Sequence, residues 1–140
     1  MKSAETSAWP ATLERPWWVL VAGPVVSGTG GDPHKVAANL ARLEAQALPL
    51  YERGHLAVVG EWLALPIIRA AGGHAPGDEV FQRYQYPVAR RMVARCDAVL
   101  RLPGASVGAD QDVAQARALG LPVFERVEDI PPCLSAPGQV

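Results

Sequence analysis

Trp17-Trp18-Val19-Leu20-Val21-Ala22-Gly23-Pro24 is the stretch from which the fold of this chain is read. Apolar residues follow one another without alternation and stop at Gly23-Pro24. An unbroken run of this kind is a strand buried on both faces, the habit of parallel sheets. A loop rich in small residues follows (Ser27, Gly28, Thr29, Gly30, Gly31, Asp32), and Pro33 suits the first turn of a helix. Val36, Leu40, Leu43, Ala47 and Leu50 recur at steps of three and four, which predicts one helix running to about Arg53 and closed by Gly54.

The same alternation continues along the chain. Leu56-Ala57-Val58-Val59 reads as a second strand ending at Gly60. Trp62 to Ala71 is apolar with Pro66 inside, so a short or broken helix is expected. Gly72 to Gly77 reads as a loop, and Asp78 to Arg95 as helix, with Pro87 expected to kink it or begin a new segment. Asp97 to Leu102 is a third strand, stopped by Pro103-Gly104. A helix from about Asp110 to Leu119 and a strand Leu121–Phe124 complete the series.

Strands alternating with helices, each strand closed by glycine or proline, define an α/β domain. The expectation is a single doubly wound, flavodoxin/Rossmann-like parallel sheet of about four to five strands with helices on both faces. It spans residues 16–130, between a flexible N-terminal tail at 1–15 and an irregular C-terminal tail at 131–140.

Composition narrows the function. A length of 140 residues with 49% hydrophobic content suits one folded domain, and a net charge of -1 argues against a nucleic-acid polymer or a membrane surface as partner. No apolar run reaches the roughly 20 residues of a membrane span, and Met1–Arg15 lacks an apolar h-region. A cytoplasmic location is therefore expected. Cys96 and Cys133 form no disulfide framework, and neither they nor His34, His55 and His74 have metal-ligand spacing, so no metal and no cofactor are expected.

In a doubly wound sheet, ligands lie beyond the carboxyl ends of the strands. The segment Gly104-Ala105-Ser106-Val107-Gly108-Ala109-Asp110-Gln111-Asp112 leaves the third strand there. Gly104 and Gly108 allow close backbone approach, Ser106 supplies a hydroxyl, and the amides of the following helix suit a phosphate. Asp112 is expected within the first helical turn, where the helix end favours a carboxylate that acts as nucleophile or acceptor rather than as general acid. Asp110 and Asp112 equally suit capping of that helix.

Other strand-end residues carry paired readings. Glu61 follows the second strand as a ligand-facing group or a solvated loop glutamate. Asp78 serves as proton donor or as helix cap. Gly23, Pro24 and Ser27 begin a loop suited to wrapping a base or phosphate. Trp62 could stack on a base or be buried, Asn39 could contact a loop, and Arg90, Arg91 and Arg95 form one helix face.

Leu20-Val21-Ala22-Gly23-Pro24 resembles the opening strand of the nucleoside 2-deoxyribosyltransferase family. Arg95-Cys96-Asp97-Ala98-Val99-Leu100 is similar to that family's lead into a later strand. Ser106 to Asp112 resembles the Ser-x-Gly…acid segment of its relatives, the 2'-deoxynucleoside 5'-monophosphate N-hydrolases. Ala116 to Val123 fits the closing helix, glycine and strand. The likeness covers most of residues 17–125.

The resemblance implies an enzyme that cleaves or transfers the N-glycosidic bond of a nucleoside or nucleotide. By it, Ser106 and Gly108 hold the 5' end, and Asp112 stands where the family's glutamate attacks the anomeric carbon. It also implies a homodimer or higher oligomer. Three departures are plain. Asp112 is one methylene shorter than glutamate, Leu20 stands where a tyrosine is common, and Tyr84–Arg90 holds no carboxylate where relatives place an acid. Glu61 or Asp78 would then have to supply the proton. The alternative is a nucleotide-binding or sensing module without chemistry.

Overall fold

The computed structural model describes residues 9–75 and 77–134. The elements are β1 (Trp18–Ala22), α1 (Pro33–Glu44), α2 (Ala47–Glu52), β2 (Leu56–Val59), α3 (Gly60–Ala70), α4 (Glu79–Val93), β3 (Ala98–Arg101), α5 (Val107–Ala118) and β4 (Val123–Phe124), followed by a 3-10 turn at Val127–Asp129. The four strands form one sheet in the order β2-β1-β3-β4, and every pairing is parallel. The chain therefore winds one way from β1 to β2 and the other way to β3 and β4. This is a Rossmann-like α/β fold, with its switch point between β1 and β3.

The unbroken apolar run of β1 is explained by two cores. Val19 and Val21 face one side with Ala98 and Leu100 of β3, packed under Leu43 of α1 and Leu50 of α2. Leu20 and Ala22 face the other with Val58 and Val99, against Met92 and Val93 of α4 and Ala109 and Ala116 of α5. Successive side chains of a strand point to opposite faces, so a strand with both faces covered must be apolar throughout. Each buried Val or Leu contributes roughly 1.5–3 kcal/mol.

Several helices differ from expectation. The helix predicted from Pro33 to Arg53 is two helices, α1 and α2, separated near Gln46. Pro49 is the cause: it has no amide hydrogen to bond a carbonyl four residues back, so it sits near a helix start, where that amide would be unpaired anyway. Pro66 and Pro87 have no such effect, and α3 and α4 run through them as continuous helices. The last helix begins at Val107, not about Asp110, because Ser106 caps it: Ser106 Oγ accepts the Ala109 amide at 3.1 Å.

The expected flexible N-terminal tail is packed where it is described, while residues 1–8 lie outside the described range. Trp9 and Trp17 pack nearly perpendicular at 5.4 Å between ring centroids, and the Leu13 amide donates to the Pro132 carbonyl at 2.8 Å. Asp97 accepts from Arg15 at 2.6 Å and from the Trp18 amide at 2.8 Å. Residues 131–134 have no regular secondary structure yet are held by hydrogen bonds. The Cys133 amide donates to the Arg53 carbonyl at 2.8 Å, and Arg53 donates to the Ile130 carbonyl at 2.6 Å. Residues 135–140 lie outside the described range.

His55 closes this arrangement. Its Nδ1 accepts the Trp17 amide at 3.0 Å, so the proton is on Nε2, which donates to the Pro131 carbonyl at 2.7 Å. Burial holds its pKa below the usual histidine value, against the pull of the Pro131 bond. A neutral imidazole ties β1 to the C-terminal segment, and its role is structural. Both cysteines are buried. Among the described residues, no helix is long and apolar enough to cross a membrane.

Candidate functional site

The switch point between β1 and β3 leaves a cavity at the carboxyl ends of these strands. Its floor is the end of β1, where a Cβ on Gly23 would lie 2.9 Å from Leu43 Cδ2 and make that buried side chain shift. One wall is the start of α5, with Ser106, Gly108, Ala109 and Asp112. Glu61 of α3 and the Gln85–Tyr86 face of α4 supply the other walls, and Ser27 lies at the edge. Five chain segments, distant in sequence, thus meet around one space.

Glu61 comes from a feature that sequence reading placed on a loop. The strand β2 passes directly into α3 at Gly60, so Glu61 is the second helical residue and is only 9% exposed. Burial raises its pKa, with its own backbone amide working in the opposite direction. The solvated alternative for Glu61 is thereby excluded.

Asp112 is corrected in the same sense. Because α5 begins at Val107, Asp112 lies in the second turn, beyond the reach of the helix-end field that was expected to keep it ionised. Burial raises its pKa, the charge of Glu61 raises it further, and Arg101 pulls it back, leaving it at about 7. Two carboxyl groups facing one narrow space cannot both ionise cheaply. Burial and the charge of Glu61 therefore keep Asp112 partly protonated near neutrality. Asp110 does stand in the first turn and pairs with Arg101 at 2.8 Å.

Three expected site residues fall elsewhere. Asp78 is the N-cap of α4: its carboxylate accepts the Phe81 amide at 2.8 Å and the His74 and Ala75 amides at 3.1 Å. Those bonds hold its pKa below the usual carboxylate value, which removes it as a proton donor. Gly104 and Pro24 pack on each other: a Cβ on Gly104 would lie 2.6 Å from Pro24 Cγ, and Gly104 has φ of +118°. Neither lines the cavity that holds Glu61 and Asp112. Asn39 donates to the Val25 carbonyl at 2.9 Å and so braces the loop after β1. Trp62 is exposed and donates to Glu44 at 2.6 Å.

Phe81, Gln85, Tyr86 and Ala89 were not singled out from sequence, although all line the cavity. Positions 81, 85 and 89 recur every four residues and share one helix face, a spacing that marks them once α4 is known to be unbroken. Gln85 stands in the stretch that lacks a carboxylate, and its Nε2 donates to Glu61 Oε2 at 3.4 Å. Beyond Glu61, a second compartment of about 190 Å³ lies between Val36, Leu40, Leu65 and Phe81. Glu61 lines both spaces, whereas Asp112 lines only the first.

Chemically, the site offers two buried carboxyl groups of raised pKa, a serine hydroxyl at a helix start, and an apolar chamber next door. Among the described residues, no group of three or more His, Cys, Asp or Glu side chains is placed to hold a metal ion. No family model, no curated protein and no solved structure matches the chain.

Proposed function

We propose that this protein cleaves or transfers the N-glycosidic bond of a nucleoside or nucleotide through the carboxyl pair Asp112 and Glu61. The observation that carries this reading is the convergence of both groups on one cavity at the switch point, with both pKa values raised. Breaking the bond leaves oxocarbenium character on the sugar and needs a proton for the departing base. Asp112, on the polar side with Ser106, gives up its proton to Glu61 and attacks the anomeric carbon as carboxylate. Glu61, at the boundary with the apolar chamber, takes that proton and passes it to the base nitrogen as the carbon–nitrogen bond breaks. The resulting glycosyl ester is released to water or to a second base, with Glu61 taking back a proton.

Ser106 and the first-turn amides of α5 bind the 5' end, a phosphate or a hydroxyl. The serine hydroxyl keeps its proton available, because its oxygen accepts the capping bond. The test is base release, followed by chromatography, from a panel of nucleosides and their monophosphates. Asp112→Asn and Glu61→Gln should each lower it by about 10²–10⁴-fold. In the intact protein kcat/KM should fall as pH rises through about 7, where the pair loses its last proton. Folded protein that releases no base from any of the panel refutes the enzyme reading.

A second reading, a nucleotide-binding module without turnover, is favoured by two features. Asp112 is shorter than the glutamate of the resembled family, and Gln85 presents an amide where an acid would serve. Ligand stabilisation in a thermal-shift assay that persists in Asp112→Asn, without base release, would establish it.

Association with a second copy belongs to the same reading. Trp18 is 53% exposed, and Leu63 and Ile67 are also exposed beside it. Covering such apolar surface favours oligomers. Light scattering at micromolar concentration should give at least a dimer mass.

A further inference from the structure

Among the described residues, Gln85 Oε1 is the one buried side-chain polar atom without a hydrogen-bond partner. The other end of the same amide is engaged, since Nε2 donates to Glu61 Oε2 at 3.4 Å. That bond sets the orientation, nitrogen toward carboxyl and oxygen away from it. Gln85 lines the cavity together with Glu61 and Asp112, held there by the continuous helix α4. An acceptor shut away from water without a donor is costly, and a ligand entering the cavity can supply that donor.

We infer that Gln85 Oε1 accepts the 2'-hydroxyl of a ribose, so that the site selects ribonucleosides or ribonucleotides over their 2'-deoxy counterparts. The inference rests on the proposed N-glycosidic chemistry, which puts the anomeric carbon beside the carboxyl pair. Gln85 Oε1 is then one amide's width beyond its bond to Glu61, which stands at the bond between that carbon and the base nitrogen. At this location a nucleoside offers few donors: the glycosidic nitrogen has no hydrogen and the anomeric carbon has no hydroxyl. The nearest donor is the 2'-hydroxyl on the adjoining carbon. A site built to bond a hydroxyl rejects the analogue without it far more strongly than an apolar pocket rejects a small change of size.

The experiment compares matched pairs, ribo and 2'-deoxy, with the same base and the same 5' end. Base release is measured for the intact protein, Gln85→Leu and Gln85→Ala. Binding is measured by titration calorimetry in Asp112→Asn, where turnover is suppressed. The intact protein should favour the ribo member by about tenfold or more in kcat/KM, and the Asp112→Asn protein should show the same preference in Kd. Both Gln85 variants should bring the ratio toward one, chiefly by losing the ribo substrate. A preference for the deoxy member, or a ratio unchanged by either Gln85 variant, overturns the inference while base release leaves the proposed reaction standing. Failure of every pair to bind and to react overturns both.

Discussion

A carboxyl group that is itself buried, and faces a second one, keeps its proton to a higher pH than it would in water, and the fold bears the cost when that proton is lost. Asp112 titrates at about 7 in the folded protein, against an ordinary value of 3.8. Between those values the folded state binds more protons than the unfolded one, so stability falls as pH rises. The contribution is whole below about pH 4, where both states are protonated, and is lost as pH rises through about 7. Asp112→Asn removes the ionisation. The variant should match the intact protein near pH 4 and exceed it at pH 8 by about 1–3 kcal/mol, discounted for partial solvent access. Urea denaturation across that range reads the gap. Taking the difference between the two proteins cancels the acid sensitivity that His55 gives to both. A gap independent of pH would mean that Asp112 is not held protonated. None of this follows from the residue's place in the sequence, because spacing alone put Asp112 in the first turn, where the helix field acts in the opposite direction.

Caps and prolines set the limits of the helices, and the limits decide which side chains reach the site. Ser106 ends the loop after β3 by capping α5, and that start point turns Asp112 into the cavity rather than toward solvent. Ser106→Ala should cost about 1 kcal/mol of stability through loss of the cap. Ser106→Asp restores a capping oxygen but places a charge beside the proposed 5'-phosphate. It should keep stability near that of the intact protein and weaken monophosphates more than nucleosides, as binding titrations would show. Equal weakening of both would separate Ser106 from the 5' end. The helices themselves are legible in their three-four periodicity, and the capping pattern at Asp32 and Asp78 follows from residue type. Whether a proline breaks a helix is not legible in the same way. Pro49 coincides with a break while Pro66 and Pro87 are absorbed, since tertiary packing of α3 against α4 outweighs one missing hydrogen bond in each.

At the scale of the molecule, two cores sandwich the sheet, and the terminal segments close one of them. Gly54 lets the chain turn from α2 into β2 with φ of +92°, and a Cβ there would overlap the Cys133 carbonyl. Gly54→Ala should therefore loosen residues 130–133 and destabilise the protein by about 2 kcal/mol or more, with amide exchange rising first at Ile130 and Cys133. Exchange unchanged at those amides would show that the segment is held independently of the turn. The tie between the ends was not readable beforehand, because it depends on carbonyls of Pro131 and Pro132 that any sequence could present. By itself, the sequence determined the parallel α/β sheet, since a strand apolar on both faces can be satisfied only between two layers of helix. It also determined that Ser106, Gly108 and Asp112 come together, because they are close neighbours on one strand-to-helix passage. Only the tertiary structure brought Glu61 and Gln85 to Asp112 and sent Asp78 and Gly104 elsewhere. Those contacts join residues tens of positions apart, and their protonation follows from burial and mutual charge, which exist only once the chain has closed around them.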